Sequence, residues 1–158
     1  MDDITLERPC EADALELRLK LRHADLLEVQ AASGPRVSET IERAIEASPS
    51  VYTVRAKATG DLLCIFGCVP LDLMQTTGTP WMLGTDLLRR HARSLVRVTR
   101  VYFDDMLAHY SLLMNFVDAR NAQSIRLIRG VGCEVGNPVP YGVSGKPFRP
   151  FWRERDHV

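Results

Sequence analysis

Between Arg89 and Ser94 the sequence reads RRHARS, which places Arg89, Arg90 and Arg93 around His91 and the small residues Ala92 and Ser94. Guanidinium groups this close together can grip a phosphate through charge-assisted, often bidentate, hydrogen bonds. On the outer face of a helix the same run is ordinary solvated surface. His91 adds a group whose unperturbed pKa suits proton transfer near neutrality. Further on, DARNAQSIRLIRGVGCE sets Asn121 three residues before Ser124, ahead of an apolar-striped run that stops at a glycine. An asparagine there can cap the helix by accepting a backbone N–H bond. A cofactor contact and a cap are compatible roles for it.

The cysteines offer less. Cys64 and Cys68 stand four apart in LLCIFGCV, on one face of a strand. A metal needs two further ligands close by, and the sequence supplies none. Cys10, Cys64, Cys68 and Cys133 are therefore expected as reduced thiols with no metal site.

Composition narrows the setting. Hydrophobic residues make up 46% of the 158 and charged residues 25%, the balance of a folding globular chain. One domain over residues 1–158 is expected. The formal net charge is +0, so no global field draws the chain to nucleic acid or an anionic membrane, and one arginine cluster neutralises too few phosphates for tight nucleic-acid binding. The start, MDDITLERPC, lacks the basic-then-apolar pattern of a signal peptide, and no apolar run approaches a bilayer's span. The expected compartment is the cytoplasm.

The elements that must position these residues can be read in order. ITLERP is a short strand. Residues 11 to about 32 are rich in helix formers, with Leu15, Leu19, Leu26 and Val29 near one face. VSETIERAIEAS is a second helix, with Ser38 as its N-cap and Pro49 beyond it. VYTVRAK, ATGD and LLCIFGCVPL form a strand, turn and strand. PWML is a short strand, and residues 86 to about 110 are a long helix or two in series. LLMNFVD is a strand, NAQSIRLIRGV a helix, and GCEV a strand start. The tail NPVPYGVSGKPFRPFWRE is a broken loop followed by an aromatic strand. An antiparallel meander followed by a βαβ crossover makes an α/β (α+β) chain, a mixed central sheet with helices on both faces.

This order, with Asn121, Ser124, Ile125, Leu127, Val131 and Gly132 in register after LMNFVD, resembles the GNAT superfamily of N-acetyltransferases. PWMLGTD, YSLLMNFVDARNAQSIRLI and YGVSGKPF are similar to GNAT-like proteins of tailed bacteriophages and prophages, some described as internal virion proteins. The resemblance implies acetyl-CoA as cofactor, bound where PWML and LLMNFVD splay apart, so that Met82 and Leu83 meet the pantetheine. It implies a pyrophosphate at the N-terminus of the long helix, on Arg89, Arg90, Ala92, Arg93 and Ser94, with Asn121 and Ser124 on the facing wall. Where the family's loop carries glycine and then glycine or alanine, this sequence has Ala92 and Ser94, so the resemblance implies a degraded loop. Ile128 occupies the place where many relatives carry a general-acid tyrosine, leaving Tyr110, Tyr141 or a water to stand in. Asp72, Asp86 and His91 are the candidate bases.

Two functions follow from the resemblance. One is an acyl-CoA-dependent N-acyltransferase of phage or prophage origin that acts on an amine acceptor. The other is a catalytically inactive GNAT-fold binding protein, whose partners would be virion or host proteins. Trp152 is an expected core or interface anchor, available to an oligomer.

Overall fold

A computed structural model describes residues 3–156. Strand β1 (Ile4–Glu7) leads into three helices, α1 (Glu11–Lys20), α2 (His23–Ser33) and α3 (Val37–Ala47). The meander β2 (Ser50–Ala56), β3 (Leu62–Pro70) and β4 (Thr77–Gly84) follows. A 3-10 turn (Asp86–His91) runs into α4 (Ala92–His109), then β5 (Leu112–Asp118), α5 (Ala122–Gly130), β6 (Glu134–Val135), β7 (Val139–Tyr141) and β8 (Lys146–Glu154). The strands form one sheet in the order β1-β2-β3-β4-β5-β8-β6, with β7 also on β8.

Several expectations change. The helix expected over residues 11–32 is broken at Leu21 and Arg22. Leu21 bridges to Thr85, and the Arg22 N–H bonds the Gly84 carbonyl at 2.9 Å, so the chain is drawn onto the end of β4. Leu17 and Val29 are buried, while Leu15 and Leu19, expected on the apolar face, are 62% and 75% exposed. Ser38 does not cap α3; the helix starts at Val37 with Arg36 in the cap position. The segment after residue 86, expected as one long helix or two in series, is the 3-10 turn followed by the single helix α4.

Helices cover both faces. Strand alternation sends Ile65 and Leu83 toward Leu17, Val29 and Ile41 of α1–α3, and the register shift opposite Val54 and Arg55 brings Leu62 to the same side. It sends Cys64, Phe66 and Cys68 to the opposite side, against Leu95, Tyr102, Phe103 and Met106 of α4. No helix among the described residues is long and apolar enough to cross a membrane.

The feature that matters for function is the junction of β4 and β5. These strands are parallel, and they pair at only two positions, Thr77 with Leu112 and Gly78 with Leu113. Pro80 follows, and its carbonyl accepts from the Asn115 side-chain amide at 2.7 Å across the gap. A strand residue's C=O and N–H point the same way, so the N–H that proline lacks would have faced β5. The ladder cannot continue there, and the strands part.

The closed end of the gap has no spare room. A Cβ on Gly78 would lie 2.6 Å from Cys68 Sγ, 2.9 Å from Tyr110 Cδ2 and 3.0 Å from Leu113 Cδ2. Gly78→Ala should therefore lower the urea unfolding free energy by about 1–3 kcal/mol, the usual cost of overpacking.

Candidate active site

Beyond Pro80 the backbone of Met82 faces the opening, and no β5 residue pairs with it. Two cavities lie along the gap. The first, about 240 Å³, passes between the strands. Trp81, Leu83, Phe116 and Tyr141 line it on the α1–α3 side, and Tyr102, Phe103, Leu127 and Ile128 on the α4–α5 side. The second, about 270 Å³, lies between the 3-10 turn and α5 and includes Arg89, Ala92, Ser124 and Arg126. Met82 and Ser124 line both.

Helix α2 holds the mouth open by serving both strand ends. Asp25 Oδ2 accepts the Gly84 N–H of β4 at 2.8 Å, and Glu28 Oε1 accepts the Asp118 N–H of β5 at 2.8 Å. The two carboxylates are three residues apart, hence on one helix face. Arg22 neutralises Asp25 in a fork, through Nε at 3.1 Å and Nη2 at 2.6 Å, with both side chains buried. Its Nη1 reaches Gln123 Oε1 at 2.6 Å and Nη2 reaches Ser124 Oγ at 3.1 Å. Asn121 completes the network. Its Oδ1 accepts the Ser124 N–H at 3.3 Å as the cap of α5, and its Nδ2 donates to Asp25 Oδ1 at 3.1 Å and Glu28 Oε1 at 3.4 Å.

Among the described residues Glu28 has no cation of its own. Burial, more than any other influence, lifts its carboxyl, and the nearby charges of Asp25 and Asp118 lift it further. The bonds from Asp118 and Asn121 pull the other way, and the result is a value of about 7. Both bonds fall on Oε1; Oε2 carries none.

The residues singled out in the sequence divide into two groups. Met82, Leu83, Arg89, Ala92, Ser124 and Tyr141 line the cavities. The others do not. Arg90 and Arg93 are exposed outside both. Ser94 is buried with its hydroxyl on Asp3, and His91 Nδ1 bonds Asp3 Oδ2 at 2.6 Å. Asn121 is buried and spent on its cap and network. Tyr110 is buried at the closed end against Gly78. Asp72 is held there too, in the β3–β4 turn, accepting the Thr76 N–H at 2.8 Å. Asp86 is exposed on the 3-10 turn. None of Tyr110, Asp86 and His91 therefore faces the opening.

Glu28, Arg22, Asp25 and Arg126 belong to no motif in the sequence. One signal was available: Arg22 and Asp25 form an i, i+3 charge pair between Leu21 and Leu26, inside an apolar stripe. The thiols are core groups. Burial pushes Cys68 and Cys133 up to about 12, and Cys64 rises for the same reason.

No family model matches the sequence, and no curated protein does. Solved structures match its architecture. Spermidine N-acetyltransferase from Vibrio cholerae, in complex with CoA and spermine, superposes with a TM-score of 0.70 at 13% identity, over 97% of this chain and 96% of that one. AAC(6')-Ib in complex with ribostamycin and coenzyme A gives 0.68 at 15%, over 98% and 94%. The yncA protein of Salmonella typhimurium, with its cofactor acetyl-CoA, gives 0.68 at 15%, over 99% and 96%. The chain has the GNAT fold, and its solved neighbours are GNAT-fold acetyltransferases.

The network sets an expectation for stability. Arg22→Ala leaves Asp25 charged and buried, so thermal or urea unfolding should show a loss of about 3–5 kcal/mol. Arg22→Lys should recover only part of it, because an ammonium cannot reproduce the fork.

Proposed function

We propose that the chain is an acyl-CoA-dependent N-acyltransferase acting on an amine acceptor, with acetyl-CoA as the acyl donor. The two-position pairing of β4 and β5 carries the reading. It leaves the Met82 backbone unpaired beside a cavity that passes from one face of the sheet to the other. A pantetheine arm has the same need as a strand edge, an amide partner, and Met82 offers one.

The second cavity suits the phosphates. Arg89 and Arg126 stand on its rim, and neither has an ion pair among the described residues. Ala92 and Ser94 stand where the family's phosphate loop carries glycine and then glycine or alanine, and residues 86–91 are wound into a 3-10 turn. In this reading the loop is a degraded one, and side-chain charge takes over from loop amides.

An acyl thioester, when bound, supplies the acyl carbon; its C–S bond breaks as the amine nitrogen bonds to that carbon, and the sulfur leaves as a thiol with the amine's second proton. Glu28 takes the first. Its free Oε2 belongs to the one carboxylate lining the cavity, and a value of about 7 lets it accept a proton from an ammonium near neutral pH. Ile128, at the place expected for an acid, lines the cavity and donates nothing.

The similarity of PWMLGTD, YSLLMNFVDARNAQSIRLI and YGVSGKPF to GNAT-like phage proteins supports a phage or prophage origin. Host cytoplasm and virion are the settings this implies, and mass spectrometry of purified particles separates them.

Isothermal titration with acetyl-CoA tests the central claim: saturable binding is expected, and no heat at millimolar ligand would overturn it. Arg89→Ala and Arg126→Ala should each weaken that binding about tenfold, the scale of a lost bond to a charged group.

Glu28→Gln keeps an acceptor for Asp118 and Asn121 but cannot take a proton. Acetylation followed by thiol release should fall about 10²- to 10⁴-fold, and the rise in kcat/KM through about pH 7 should disappear. Stability should move the other way. Between the ordinary value of 4.5 and about 7 the folded state holds the proton and the unfolded state does not, so wild-type stability falls as pH rises through that window. The Gln variant should lack this fall, making it the more stable protein at pH 8.

A further inference from the structure

The acceptor's chemical class can be read from the first cavity, given the acyltransferase reading above. Glu28 is the only charged residue lining it among the described residues. Its α1–α3 side is aromatic. Tyr141 stacks on Phe116 with ring centroids 4.1 Å apart and planes at 18°, and Phe148 lies 5.2 Å from Tyr141 on the same wall. Trp81 stands in the wall contributed by β4.

Most of the other polar groups there are already committed. The Trp81 N–H donates to Ser48 Oγ at 2.8 Å, and the Thr40 hydroxyl donates to the Arg36 carbonyl at 3.1 Å. Asn115 spends its amide on Pro80 O and its carbonyl on the Phe116 N–H, each at 2.7 Å. The cavity thus has one counter-charge to offer, and the reacting nitrogen uses it.

A second ammonium placed in this cavity would lose its water and meet no carboxylate. An aryl or alkyl group would exchange water for aromatic faces.

The aromatic wall is fixed in place by the β7–β8 hairpin. Val143 and Ser144 donate their N–H groups to the carbonyls of Ala32 and Ala31, which end α2, at 3.2 and 3.1 Å. Gly142, at φ +72°, sits where a Cβ would come 2.6 Å from Ala32 Cα. Only glycine allows that approach, and it sets Tyr141 against Phe116.

We infer that the acceptor is a primary monoamine with an uncharged, apolar body of aromatic size, and not a polyamine or an aminoglycoside. The ammonium sits at Glu28 and the body lies against Phe116 and Tyr141.

Phenethylamine, spermidine and kanamycin serve as probes, each measured by calorimetric binding and by acetylation, beside a separate titration with acetyl-CoA. The expected result is that phenethylamine binds, and is acetylated with a kcat/KM at least about tenfold above both polycations. Tyr141→Ala should raise the Kd for phenethylamine about tenfold and the Kd for acetyl-CoA by much less. If acetyl-CoA binds and spermidine or kanamycin is preferred, the inference falls and the acyltransferase reading survives. If acetyl-CoA binds and phenethylamine neither binds nor reacts, the inference falls likewise. If acetyl-CoA itself does not bind, the acyltransferase reading fails and the inference falls with it.

Discussion

The structure depends on one constraint, that two parallel strands stop pairing inside a sheet and their backbone groups must still find partners. An unpaired, buried N–H costs as much as a lost hydrogen bond, so a gap of this kind persists only where something else completes it. Helix α2 does so. Asp25 takes the amide that ends β4 and Glu28 the amide that ends β5, one helical turn apart. The break at Leu21 and Arg22 is part of the same arrangement, since the Arg22 N–H closes on the Gly84 carbonyl as its guanidinium neutralises Asp25. An unbroken helix over residues 11–32 could not bring both groups to the strand ends.

The two carboxylates meet different fates because of their neighbours. Asp25 has a guanidinium in fork geometry and stays an ion-pair partner, fixed on both oxygens. Glu28, one turn on, has only neutral donors, and both approach the same oxygen. Burial without a cation favours the protonated form, and the charges of Asp25 and Asp118 add to that. One helix face thus carries a structural anchor beside a group poised to exchange a proton.

How much of this the sequence reveals follows from how local each feature is. The order of elements, the alternation that puts Cys64 and Cys68 on one face, and the Asn121 cap are set by residues close together in the chain, and they are legible. Arg89, Ala92 and Ser124 line the second cavity because they sit on a helix start and a facing helix that the order of elements already predicts. Glu28 is different. In ADLLEVQ it reads as one more solvated helix position, and its partner amide at Asp118 lies 90 residues away. Only the crossing of α2 over the open end of the sheet buries it. His91 and Asp86 fail the other way: their chemistry suits a base, but the 3-10 turn leaves Asp86 in solvent and His91 against Asp3. Chemistry-bearing residue types are easy to find in a sequence, and their direction is not.

The choice of residue at position 28 separates architecture from chemistry. The strand end at Asp118 and the Asn121 amide need an acceptor, and one neutral oxygen would satisfy both. A glutamine could supply it without the cost of placing an ionisable group in an apolar cavity. The glutamate brings a second oxygen that the fold does not use, on a residue that lines a cavity with no other charged lining residue among those described. The fold therefore accounts for Oε1 and leaves Oε2 without a structural task. A group that weakens the protein as pH rises, and that packing does not require, marks this end of α2 as the place where proton chemistry belongs.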